Sequence, residues 1–195
     1  MKESVLTLNT LELKKITGTR TFMALPKEEI DRLYASVEVQ KMEHAVADKD
    51  FSLTQLVAIV ALHYNYSWLA FTIDSTGKAN HGSSLCTECH IPPFGNNNIF
   101  LDESLNIAAC QLIDDWFIVE AGYDIRLAGL ICDDSTKFGK SHLGLVFIAR
   151  LRQAGVICRD DKNVNIKFHG MGELVQNREQ FDSTSRVLID HLIAF

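Results

Sequence analysis

The segment SLNIAACQLIDDW, residues 104–116, constrains this chain more than any other. Leu105, Ala108, Ala109, Leu112, Ile113 and Trp116 recur at the i, i+3, i+4, i+7, i+8 spacing of one buried stripe on an α-helix. Gln111, Asp114 and Asp115 fall together on the opposite face, with Ile107. A helix written this way must lay its stripe on another apolar layer. Its polar face, with two adjacent carboxylates beside an amide, is either a metal-binding face or a solvated one.

The apolar layer is written elsewhere as strands. LVAIVALHYNYSWLAFTID, residues 56–74, predicts two strands around a turn near Asn65, because Val, Ile, Trp and Phe suit a pleated sheet. Further strands are expected near Ile125–Ile131, His142–Arg150 and Val164–Phe168. PKEEIDRLYASV, residues 26–37, predicts a helix: proline opens it, acids follow in the first turn, and Ile30, Leu33 and Tyr34 form a short stripe. Residues 74–101 are rich in turn formers and are expected to be loop. SRVLIDHLIAF at the end has the spacing of a last helix. No repeat, low-complexity tract or linker interrupts the chain, and 195 residues suit one well-buried core. The economical fold is a single α/β (α+β) domain with a mixed sheet. No glycine-rich phosphate loop follows a strand.

A formal net charge of −6 argues against an extended nucleic-acid surface, which needs clustered Lys and Arg. Lys14-Lys15 and the Arg150/Arg152 pair are too sparse to supply one. An anionic small molecule can still bind through a divalent metal or one local basic group. The longest apolar run, Leu56 to Leu62, falls far short of the roughly 20 residues of a membrane helix. MKESVLTLNTLELKK has no signal-peptide core. The expectation is a cytoplasmic protein whose five cysteines stay reduced.

Cys86-Thr-Glu-Cys89-His90 matches a haem c attachment pattern, and CxxC also suits zinc or redox work. Haem would require export, so no haem is expected. A structural zinc site needs a second ligand pair at close spacing, and a thioredoxin-like site needs a following helix where Ile91-Pro92-Pro93 stands. Chance spacing is the plain alternative. Of seven histidines, only His90 and His142 sit near other candidates. Asp133-Asp134-Ser135, with Gly139 and Lys140 after it, is either a turn in which Asp side chains cap amides or a loop at the mouth of a ligand cleft. There is no GxSxG elbow and no HExxH.

Four segments together carry a family resemblance. GLICDDSTKFGKSHLGLVFIARL (129–151) resembles the stretch of a bacterial and phage group of Nudix proteins, predicted MutT-type phosphoesterases, in which a strand ends in Asn-Asp-Asp-Ser and re-enters as His-Leu-Gly-Leu-Val-Phe. EHAVADKDFSLTQLVAIVAL (43–62) is similar to that group's lead into its first core strand. ECHIPP (88–93) stands where the group has Gly-Gly-His-Ile-Asn-Pro, and STSRVLIDHL (183–192) resembles its closing helix. The resemblance implies a Nudix-like domain over residues 41–195, a mixed sheet between helices, with residues 1–40 as an extension packed on it. That extension is the candidate for pairing subunits into a homodimer.

In Nudix hydrolases the box G-x5-E-x7-R-E-U-x-E-E-x-G-U, where U is a bulky aliphatic residue, holds Mg²⁺ or Mn²⁺. The ions neutralise a diphosphate and acidify the attacking water. Laid on this chain, the box Arg falls on Cys110 and the next Glu on Gln111. Leu112 fits the aliphatic position, the Glu-Glu pair becomes Asp114-Asp115, the final glycine becomes Phe117, and the early Glu falls at Asp102 with Glu103 beside it. The resemblance therefore implies a Nudix scaffold with a degraded box. The expected function is binding of a nucleotide-like ligand or a protein partner, with little or no hydrolysis. The alternative is a hydrolase of nucleoside diphosphate-linked compounds with Mg²⁺ or Mn²⁺ on Asp102, Glu103, Asp114 and Asp115, helped by Glu120 or Glu173. A pure interaction module is the third reading. The expected catalytic positions are Gln111 and Asp115. The expected ligand-binding residues are Asp133, Asp134, Phe138 and His142, with His90 at the rim and Phe138 stacking on a base.

Overall fold

A computed structural model describes residues 4–24, 38–73, 83–91, 93, 102–133, 135, 139–159 and 164–192. Its strands are β1 Ser4–Asn9, β2 Phe22–Ala24, β3 Val39–Glu43, β4 Leu53–Tyr64, β5 Ser67–Ile73, β6 Cys86–His90, β7 Phe117–Val119, β8 Tyr123–Ile131, β9 His142–Leu151, β10 Val156–Cys158 and β11 Val164–Gly170. Its helices are α1 Thr10–Thr17, α2 His44–Ala47, α3 Asp102–Trp116, α4 Met171–Gln176 and α5 Ser183–His191. A mixed nine-stranded sheet runs in the order β11-β5-β4-β9-β8-β2, with β1 and β6 also paired to β4 and β3 paired to β1. No described helix is long and apolar enough to cross a membrane.

The chain forms two compact units. The first takes residues 1–59, 88–108 and 127–146. In it β1 pairs antiparallel with β3 from Ser4↔Glu43 to Leu8↔Val39, and with β4 at Thr7↔Gln55. Val5, Leu6 and Leu8 are buried there. Asn9 caps α1 by accepting from the amides of Leu11 and Glu12 at 2.9 and 3.2 Å, which satisfies two donors a helix start leaves open. Gly18, at φ 61°, ends that helix in a conformation side-chain-bearing residues avoid. The β2–β8 pairing is close enough that a Cβ on Gly129 would lie 2.5 Å from the Met23 carbonyl.

The second unit takes residues 60–87, 109–126 and 147–195. Here β4 turns into β5 through Asn65 and Tyr66, between the pairs His63↔Trp68 and Tyr64↔Ser67. Asn65 adopts φ 52°, and Asn tolerates that region better than most residues. β11 lies along β5 from Val164↔Ile73 to Gly170↔Ser67. β7 and β10 form a separate two-stranded ribbon. Phe71, Trp116 and Phe117 pack together, with ring centroids of Phe71 at 5.5 and 6.1 Å from the other two. Asp182 caps α5 by accepting from the Ser185 amide at 2.8 Å.

The predicted strands about Asn65 and the last helix are present. Residues 74–101 are not all loop: Cys86–His90 is a strand, and Ile91 N continues toward β4 by donating to the Leu56 carbonyl at 3.1 Å. Cys86 is buried and Cys89 half-buried, as members of that strand. The helix expected at residues 26–37 lies outside the described residues.

Candidate functional site

α3 sorts its residues as its spacing predicts. Leu105, Ala108, Ala109, Leu112 and Ile113 are at most 3% exposed. Ile107, Gln111, Asp114 and Asp115 are exposed, and Trp116 is half-buried. Asp102 and Glu103 open the helix, and their side chains lie outside the described set. Arg159 donates through Nε to the Asp114 backbone carbonyl, tying the end of α3 to the chain after β10.

Cys110 is half-buried and hydrogen-bonded to the Tyr123 hydroxyl. Burial, then this bond to Cys110, then the nearby Asp114 charge push the Tyr123 phenol far above its usual range. Tyr123 is therefore a neutral partner of Cys110. Glu173 is engaged with Lys167 Nζ at 2.8 Å and His169 Nδ1 at 2.9 Å. Lys167 first, and His169 after it, hold the Glu173 carboxyl below the usual range. Glu120 is exposed and lies against Gly155.

In the first unit the structure brings His90 and His142 together, with Nε2 atoms 3.2 Å apart. Ser141 Oγ lies 3.0 Å from His142 Nδ1 and orients that ring. The His44 ring stands 4.5 Å from the His90 ring. His44 Nε2 is 3.4 Å from Asp48 Oδ1, one turn further along the chain. Gln55, fully buried, donates to the same Asp48 oxygen at 2.9 Å, while its own Oε1 has no partner among the described residues. The Gln55 hydrogen bond, and then the His44, His142 and His90 rings, keep the Asp48 carboxyl below its ordinary range. The cluster joins three imidazoles to one ionised carboxylate.

Two ring nitrogens at hydrogen-bond distance hold one proton between them, one donating and one accepting. A second proton sets two cations together, which an adjacent carboxylate or a bound anion offsets. Such a cluster can present positive charge to an anionic ligand or pass a proton. Sequence reasoning found His90 and His142 but missed His44, Asp48 and Gln55. The signal was the i, i+4 spacing of His44 and Asp48 in EHAVADKD.

Asp133 accepts from the amide and the hydroxyl of Ser135, so it caps its own turn. Asp134 and Phe138 lie outside the described residues. Among the described residues, no three His, Cys, Asp or Glu side chains are grouped to hold a metal ion.

No family model matches the chain, and no curated protein matches it in sequence. Solved structures do. Tm1382, provisionally assigned as a Nudix hydrolase, superposes with a TM-score of 0.80 over 98% of this chain and 99% of its own, at 17% identity. The chain has the Nudix fold. A Nudix-family hydrolase from Clostridium perfringens also aligns, at a TM-score of 0.42 and 17% identity, over 71% of this chain and 94% of its own. The expected mixed sheet with helices thus stands as a Nudix fold over almost the whole chain. At this identity the likeness speaks for the fold, and fold leaves chemistry to the individual side chains.

Proposed function

We propose that this Nudix-fold chain binds a nucleotide-like ligand and hydrolyses it little or not at all. One observation carries the reading. On α3, Gln111 stands three residues before Asp114 and four before Asp115. Those are the spacings at which helix side chains face one another, whereas the neighbours Asp114 and Asp115 diverge. A carboxylate at Gln111 would complete two converging pairs. An amide there supplies a neutral oxygen but no charge, so no two carboxylates converge on a hard cation.

A divalent cation of the kind Nudix hydrolases use would supply charge neutralisation and an acidified water. Asp114 and Asp115 are its described donors on α3, with Asp102 and Glu103 at the helix start as the remaining candidates. The described donor set does not fit such an ion, since two diverging carboxylates fall short of a chelate. Cys110 adds to this. It meets the neutral Tyr123 hydroxyl, where a box Arg would orient a carboxylate. His90 and His142 are the ligand-binding residues in this reading, with His44 and Asp48 beside them.

The test uses a panel of nucleoside diphosphate-linked compounds with Mg²⁺ or Mn²⁺, following both binding and turnover. Binding without turnover is the expected result. Turnover at ordinary enzyme rates, on the order of 1–1000 per second, that Asp115→Asn abolishes would overturn the proposal in favour of a working hydrolase.

A further inference from the structure

The second unit contains a cleft of about 510 Å³ whose described lining includes no residue of α3 or of the histidine cluster. His63, Asn65, Tyr66, Asp124, Arg126 and Arg150 line it, over a floor that includes the buried Ile148. Its construction follows from strand geometry. β4, β9 and β8 are neighbours in the sheet, and each sends one basic side chain to the cleft: His63, Arg150 and Arg126. Along β9, Ile148 and Arg150 are two residues apart and share a face, as do Asp124 and Arg126 along β8.

The described lining places His63, Arg126 and Arg150 with one carboxylate, Asp124. Arg152 Nη2 lies 2.9 Å from the Asp124 Oδ1. Arg150 has no ion-pair partner among the described residues. His63 Nδ1 lies 3.2 Å from the Asn65 carbonyl, and Trp68 packs on the ring at 4.9 Å. Burial first, and then the Arg150 and Arg126 charges, hold the His63 imidazole below its usual range. Both guanidinium groups therefore act on one ring. Tyr66 stands at the hairpin tip, 92% exposed.

We propose that this cleft binds a phosphate group, gripped by Arg126 and Arg150, with the Tyr66 ring covering whatever the phosphate is attached to. Guanidinium suits the role because its planar fork of donors matches phosphate oxygens two at a time. The neutral His63 ring accepts a proton once the phosphate is in place and then adds a third positive group. The ion pair with Arg152 offsets part of the Asp124 charge that would oppose the phosphate. The site is independent of the proposed activity and stands or falls separately.

The experiment titrates the full chain with inorganic phosphate and, separately, with phenyl phosphate. Calorimetry reads affinity and NMR reads the His63 ring. The expected result is saturable one-to-one binding, a rise in the His63 titration midpoint, and affinity reduced about tenfold or more in Arg150→Gln and in Arg126→Gln. Both positions are exposed, so the variants keep the fold. Tighter binding of phenyl phosphate, lost in Tyr66→Ala, supports a phosphate carried on a ring. Equal affinity for the two supports free phosphate as the ligand. Absence of saturable binding, or binding that neither arginine substitution weakens, overturns the site.

Discussion

His90 and His142 meet with their Nε2 atoms 3.2 Å apart, so each decides whether the other can carry a proton. Ser141 at 3.0 Å from His142 Nδ1 fixes one ring, and the Asp48 carboxylate supplies negative charge nearby. In the proposed reading this pair meets the anionic ligand. Members of the diphosphate panel that bind here will bind more tightly as pH falls and the pair takes up its second proton. His142→Asn keeps a polar side chain but removes the ring. It should weaken binding about tenfold and flatten the pH dependence, as measured by calorimetry between pH 5.5 and 8. Unchanged affinity and slope would remove His142 from the ligand site.

Placing Arg and Glu at positions 110 and 111 tests the proposed reading of α3. Cys110→Arg with Gln111→Glu re-creates converging carboxylates at i, i+3 and i, i+4 with Asp114 and Asp115. Gln111 is exposed, so its change costs little stability. The new Arg must displace the hydrogen bond between Cys110 and Tyr123, which makes Gln111→Glu alone the useful control. Mn²⁺ affinity should rise at least tenfold in both variants, and turnover should rise in the double variant. Metal affinity that stays at the starting level in both would show that this face never served as a box.

α3 was legible almost residue by residue, because one buried stripe imposes a strong 3.6-residue period. The β4–β5 pair was equally plain: its strands are continuous apolar runs and Asn65 marks the turn. Other elements were hidden for physical reasons. β6 is five residues long and its CTECH alternates Cys, Thr and Glu, so composition alone resembles a loop. β7 and β10 have three residues each, too short for a period to show. The histidine cluster was half legible. His44 reaches His90 only because β3 and β6 are placed by pairing with β1 and β4, a long-range fact absent from local pattern. The cleft of His63, Arg126 and Arg150 was hidden likewise, since its three residues meet across neighbouring strands.

The two faces of α3 should differ sharply in energetic weight. Ile113 is fully buried, so Ile113→Ala removes packed methyl groups and leaves a void costing about 2–5 kcal/mol. Gln111→Ala, on the exposed face, should stay within about 0.5 kcal/mol of the native chain. Denaturant unfolding of the two variants checks the contrast. A large loss from Gln111→Ala would mean that this face is covered by a partner or ligand.

His63 makes stability depend on pH with a definite sign. Its folded midpoint lies below the ordinary histidine value of 6.5, chiefly through burial and then through Arg150 and Arg126. As pH falls below 6.5, the unfolded chain takes up this proton while the folded chain does not. The unfolded state then binds more protons, so stability declines from pH 6.5 down to the folded midpoint and levels off beneath it. His63→Gln should remove that part of the decline, leaving the acid losses from carboxylates such as Asp48 and Asp190, whose depressed midpoints act at lower pH. Arg150→Gln should raise the His63 midpoint part of the way toward 6.5, because burial is the larger cause and remains. Denaturation midpoints collected from pH 4.5 to 8 for the native chain and both variants read this directly. An unchanged slope in His63→Gln would show that the ring is not held neutral by the fold.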